Sequence, residues 1–257
     1  MSAPRPTRLR PAARWGARQR GLSLIELLVA ILIALFLIGG IIVVEQGVRL
    51  SYSQQTGLSQ LQDEERFAMS VLTSVIGTAG YFPNPTTYSL ATALPSSGNF
   101  GTAGQSIYAP NSAGAAPHDS IYVRYMTAAG DGINLCDGSA AANAVNTSYL
   151  YIAADPTSGN DLYCQLNGGA AVPLVNGLTD MVITYGVATG SDNNVTEYMP
   201  AAQVSAGGYW SDVTSVQVQL TFVNPMATQG GNPVPGQPAT VKFTRVISVM
   251  GRVGAAE

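Results

Sequence analysis

LSLIELLVAILIALFLIGGIIVV, residues 22–44, is a run of 23 residues whose only polar side chains are those of Ser23 and Glu26. A helix of about 20 apolar residues crosses the hydrocarbon of a bilayer, so this run is long enough to span one. Periodicity does not separate such a helix from one buried in a protein core, but the length, the lack of proline and the adjoining arginines point to the membrane. Arg5, Arg8, Arg10, Arg14, Arg18 and Arg20 all precede Gly21, with no acidic residue among them. Basic residues beside a span stay on the cytoplasmic side, which places everything after Val44 on the far side.

A cleaved secretory signal also starts basic, but its apolar region covers only about 7–15 residues. Here the run is longer, carries a carboxylate at its fifth position and abuts Gly21 directly. That carboxylate needs an account, because an ionised acid in hydrocarbon costs several kcal/mol unless it is paired. A simple role is an acid set against the positive N-terminal end of a helix, worth about 0.3–1 kcal/mol. Gly39 and Gly40 could loosen the helix or let another approach closely.

The junction Arg18-Gln19-Arg20-Gly21, followed by Leu22-Ser23-Leu24-Ile25-Glu26-Leu27-Leu28, resembles the class III signal of type IV prepilins and pseudopilins. The resemblance implies that a prepilin peptidase cuts between Gly21 and Leu22, leaves the helix attached and N-methylates Leu22. That cut would create an α-amine on Leu22, about 6 Å from Glu26 along a helix axis, and the two could pair within one subunit. The resemblance also implies that Glu26 faces the N-terminus of a neighbouring subunit in a polymer. Leucine stands at the new first position, where phenylalanine is more usual.

Past Val44 there is no proline until Pro83, and charged residues from Glu45 to Arg66 break the apolar run. The spacing predicts a continuing helix in which Leu58, Leu61, Glu65, Ala68, Leu72, Val75 and Ile76 form a mostly apolar stripe against a globular domain. Unbroken from Leu22 to Ile76, it would be about 80 Å long. Gly77, Gly80 and Pro83 should end it. Strands are expected at 120–126, 148–153, 161–166, 180–187, 214–223 and 239–249. The clearest is 214–223, where Val216, Val218, Leu220 and Phe222 alternate with Gln217, Gln219 and Thr221, one face buried and one wet. The expected class is α+β, pilin-like, with an antiparallel sheet against the long helix. Residues 84–116 and 226–238, rich in Gly and Pro, read as irregular connections. The resulting parts are a leader at 1–21, a membrane half of the helix at 22–44, an exported half at 45–78 and a β-rich domain at 79–257.

Without the leader, six basic residues face fifteen acidic ones, a formal charge of −9. Such a body repels phosphate backbones, so direct nucleic-acid binding is not expected. His118 is the only histidine, which leaves almost nothing for a catalytic triad or a multi-histidine metal site. There is no P-loop or dinucleotide fingerprint. The expectation is a protein that is not an enzyme and carries no cofactor or metal. The turn at 155–161, with Asp155 and Asp161, and the group Asp192, Asn193, Asn194 and Glu197 offer oxygen ligands, but neither matches an EF-hand loop. These are ordinary turn residues. Asn146-Thr-Ser and Asn194-Val-Thr are sequon triplets of the kind that arise by chance in Asn-rich loops. Cys136 and Cys164 should pair in an oxidising exported compartment, adding about 3 to 4 kcal/mol in the chain-entropy model, with two reduced core thiols as the alternative.

Beyond the leader, ERFAMSVLTSVIGTAGYF (65–82), DSIYVRYM (119–126), DGINLCDG (131–138), LVNGLTDMVITYGV (174–187), YWSDVTSVQVQLTF (209–222) and VKFTRVISVMGRV (241–253) resemble PilW-like minor pilins. The resemblance implies a low-abundance subunit that joins other minor pilins in a complex initiating pilus assembly. Its partners would be other minor and major pilins, the prepilin peptidase and the inner-membrane assembly machinery. Its location would be the inner membrane, single-pass with a periplasmic C-terminal domain, and then the pilus on the cell surface. The middle segments are shared in part with J-type pseudopilins of type II secretion. A membrane-tethered periplasmic binding protein or enzyme is the alternative from a different class.

Overall fold

The computed structural model describes residues 23–110, 118–156, 159–190, 194–229 and 231–252. The chain divides into two units, Met1–Ser51 and Tyr52–Glu257. Helix α1, Leu24–Gly77, supplies the described part of the first unit and the opening of the second. In the first unit its apolar side chains are exposed, Phe36 by 81% and Leu24 by 76%. Such a surface on a helix long and apolar enough to cross a membrane fits the span expected from the sequence. Glu45 and Arg49, one turn apart, form an exposed ion pair with Nε donating over 3.0 Å, the kind of pair that adds only tenths of a kcal/mol.

In the second unit α1 buries Leu61, Ala68, Met69, Leu72, Val75 and Ile76, a stripe at spacings of one, three and four. Leu58 falls outside it at 38% exposure, and Glu65 is half-buried at its margin. The helix ends at Gly77, after which the Thr78 hydroxyl donates to the Val75 carbonyl over 2.8 Å and Gly80 takes φ +76°.

The strands are β1 (Ile107–Tyr108), β2 (Ile121–Thr127), β3 (Ala144–Asp155), β4 (Gly159–Leu166), β5 (Ala171–Val175), β6 (Leu178–Val187), β7 (Glu197–Pro200), β8 (Val213–Val223), β9 (Thr228–Gln229), β10 (Asn232–Pro233) and β11 (Thr240–Ser248). They build two principal antiparallel sheets, one ordered β1-β2-β3-β4-β5 and the other β11-β8-β6-β7, plus the small β9-β10 hairpin. The single sheet expected from the sequence is therefore two. β8 alternates as expected at Val216, Val218, Leu220 and Phe222, all buried, but Thr221 is buried too instead of wet. Its hydroxyl has no hydrogen-bond partner among the described residues.

Two segments expected to be irregular carry structure. Within 84–116 lies the single-turn helix α2, Leu90–Ala93, capped reciprocally by Ser89 and Thr92, together with β1. Within 226–238 lies the β9-β10 hairpin. β5 and β7 were hidden by Pro173 and Pro200, which argue against a strand in a sequence pattern but are tolerated at sheet edges, where both strands lie. A third helix, α3 (Ala201–Gly207), follows β7 and closes on Gly208 at φ +71°.

Two close contacts fasten the second unit. The 3₁₀ turn Met250–Arg252 lies against the end of α1, where Gly251 N–H donates to the Ala79 carbonyl over 3.1 Å. A Cβ on Gly251 would sit 2.7 Å from the Gly80 backbone. Gly251→Ala is expected to cost about 1–3 kcal/mol by overpacking, read as a lower Tm. Cys136 and Cys164 form a disulfide with Cα atoms 6.2 Å apart, tying the connection after β2 to β4. Replacing both cysteines by serine is expected to lower stability by about 3 kcal/mol in urea denaturation, and reducing the wild type should reproduce the shift.

Candidate functional site

The residues that the prepilin resemblance singles out lie at the start of the chain. Gly21 and Leu22, the expected cleavage junction and methylation position, are outside the described residues. Glu26 is on the first turn of α1, where the Ser23 carbonyl accepts from the Glu26 and Leu27 N–H groups over 3.0 and 3.2 Å. Leu24, Ile25, Leu27 and Leu28 around it are all exposed. Glu26 is the only ionisable side chain between Leu22 and Val44. Among the described residues its carboxylate has no hydrogen-bond or ion-pair partner. One acid on a bare apolar surface is a directional contact where the rest of the surface is non-directional.

His118 Nδ1 sits 2.9 Å from an Asp180 carboxylate oxygen, and the neighbouring Asp119 accepts from the Ile183 N–H over 2.8 Å. Both contacts tie the start of β2 to β6. No group of three or more His, Cys, Asp or Glu side chains able to hold a metal occurs among the described residues. Of the two oxygen-rich turns, Asp155 accepts from the Tyr163 hydroxyl over 3.3 Å, Asp161 is buried on β4, and residues 157–158 and 191–193, including Asp192 and Asn193, lie outside the described residues. Asn146 is buried and donates Nδ2 to the Thr127 hydroxyl over 2.8 Å, so its amide serves the sheet and is not presented for modification.

The outer face of the five-stranded sheet holds features that sequence reasoning missed. Tyr108, Tyr122, Tyr149, Tyr151 and Tyr163 form a row of half-buried rings, with Tyr122 and Tyr149 stacked at 4.1 Å and 14°. Burial, followed by the neighbouring Tyr149 and Tyr108, pushes the Tyr122 phenol above its ordinary pKa. Arg124, two residues along β2 from Tyr122, is only 2% exposed. Nε and Nη2 donate to the Gln105 carbonyl over 3.2 and 2.6 Å, Nη2 to the Leu94 carbonyl over 3.3 Å, and Nη1 to the Pro95 carbonyl over 2.6 Å. Its guanidinium carbon lies 4.3 Å from the centre of the Phe100 ring. Burial holds its pKa below the ordinary guanidinium value.

The family model for the prokaryotic N-terminal methylation motif matches residues 16–42, and that for type IV pilus-assembly protein W matches residues 149–247. Together the two matches support a PilW-like, prepilin-type minor pilin. No curated protein matches the sequence. The methylation motif covers Gly21, Leu22 and Glu26 together, and so falls on the one acidic position of the apolar run. The assembly-protein match begins in β3 and ends in β11, taking in most of both sheets. Pilin-family domains are structural rather than catalytic. A helix long and apolar enough to cross a membrane and a two-sheet body fit that role. Arg124 and Tyr122 lie before the matched part of the body. The alternation of Tyr122, Arg124 and Met126 along β2, and of Tyr149 and Tyr151 along β3, was a readable sign that these side chains share one face.

Proposed function

We propose that this minor pilin is made as a prepilin, cut between Gly21 and Leu22 and N-methylated on Leu22. Residues 22–44 then hold it in the inner membrane, with 45–78 and 79–257 on the periplasmic side. From there it joins other minor pilins in a complex that initiates pilus assembly, meeting the prepilin peptidase first and the inner-membrane machinery and major pilins afterwards. The observation that carries this reading is the methylation motif set over an apolar helix whose only ionisable side chain up to Val44 is Glu26. Its role in assembly needs neither a cofactor nor a reaction of its own.

The test is N-terminal sequencing and mass measurement of the protein recovered from membranes. The expected start is methylated Leu22. A start at Met1 in cells with an active prepilin peptidase, or a start beyond Val44, overturns the proposal. Substituting Gly21 by a bulkier residue is expected to leave the leader attached, visible as the unprocessed mass in the membrane fraction.

A further inference from the structure

Between the turn at residues 95–100 and the outer face of β2 and β3 lies a cavity of about 360 Å³, within the range of about 300–1,000 Å³ usual for small-ligand pockets. Ser97, Asn99, Phe100, Tyr122, Arg124 and Thr147 contribute to its lining. The turn is pinned by the bridge between Ser97 and Phe100 and by Arg124 beneath it. Tyr122 is held by its stack on Tyr149. The walls are thus fixed before anything enters.

Arg124 gives the cavity its chemistry. A guanidinium has five N–H donors, and carbonyls take four of them here, leaving one on Nη1. The Nη1 bond is only part-buried, whereas both bonds to Gln105 are buried. Among the described residues no carboxylate forms an ion pair with Arg124. Carbonyl groups satisfy N–H donors but leave the net charge uncompensated, and a buried charge without a counter-charge is costly. No acidic residue lines the cavity either.

We propose that this cavity binds an acidic saccharide, its carboxylate set on the Arg124 guanidinium. The hydroxyls of Ser97 and Thr147 and the amide of Asn99 suit the hydroxyl groups of a sugar ring, and Phe100 and Tyr122 supply the aromatic surface beside them. An acidic peptide fits less well. β2 and β3 are interior strands with a neighbour on each side, so the cavity floor has no sheet edge for a peptide main chain to join. The acidic body disfavours an anion at long range, but this repulsion fades beyond about 8 Å at physiological salt. Contact with the guanidinium is inside that distance.

The experiment is calorimetric titration of the full-length protein, purified in detergent, with trigalacturonic acid, its methyl ester and a pentaglutamate peptide. The acid is expected to bind and the ester to bind at least about tenfold more weakly. Thr147→Trp, which fills the cavity from β3, is expected to abolish binding, and Asn99→Ala in the exposed turn to weaken it. Near-UV circular dichroism reports whether each variant is folded. Should Thr147→Trp unfold, Asn99→Ala decides. Absence of binding by the wild type at millimolar trigalacturonate, unchanged binding by the folded variants, or equal binding of pentaglutamate overturns the proposal. None of these readouts depends on leader cleavage or on pilus assembly.

Discussion

Glu26→Ala is expected to reach the membrane in normal amount and to fall at least about tenfold in sheared pili, measured by immunoblot of the two fractions from cells expressing it at wild-type level. The two halves of the result have one cause. Removing a carboxylate from an apolar helix lowers the cost of placing that helix in hydrocarbon, so insertion has nothing to lose. Assembly does have something to lose. The exposed apolar side chains around Glu26 give a neighbour no preferred register, because lipid and a second helix are equally apolar. A carboxylate that must find a cation does give one. A tenfold loss is about 1.4 kcal/mol, well within what a pair in a low-dielectric setting supplies. Glu26→Gln separates charge from shape, and the same defect is expected from it. Normal incorporation of Glu26→Ala would remove the proposed charge role. Normal incorporation of Glu26→Gln alone would reassign it to hydrogen bonding.

The helix and the inner strands were legible because their signals are local. α1 was expected from Leu22 to Ile76 and is observed at Leu24–Gly77, since an apolar run followed by a three-and-four stripe has one simple reading. β2, β6 and β8 begin or end within two residues of expectation because one or both of their faces are buried. What was not legible depends on contacts distant in sequence. Whether strands form one sheet or two is decided by pairings such as β6 with β8, which no local pattern encodes. Pro173 and Pro200 masked two strands because their edge position is a property of the assembled sheet. At the site, the charged position was readable because an acid in an apolar run is conspicuous. Arg124 was not, because a lone arginine between tyrosines reads as solvated. Its burial comes from the turn at residues 95–100, which the sequence offers only as an irregular connection.

Arg124→Ala is expected to destabilise the second unit by roughly 4–5 kcal/mol, the largest single loss anticipated for this body. The Leu94 carbonyl keeps the Gly104 N–H at 2.8 Å, but the Pro95 and Gln105 carbonyls lose the only partners they have among the described residues. The buried Gln105 carbonyl left unmade costs about 1–3 kcal/mol and the part-buried Pro95 carbonyl adds less, and the cation–π contact with Phe100 and the packing of the side chain go with them. Arg124→Lys should recover little, since one ammonium cannot reproduce a planar fork aimed at three carbonyls. Trp210, in the same unit, is a convenient reporter, its ring centre lying 5.6 Å from that of Tyr108 and 5.0 Å from that of Tyr185. Urea denaturation followed by its fluorescence should show the midpoint falling with the slope unchanged. A loss under about 1 kcal/mol would mean that water replaces the guanidinium at those carbonyls without cost, and that the turn is held by something other than Arg124. Phe100→Ala combined with Arg124→Ala closes the cycle, since two groups acting as one clamp must be less than additive.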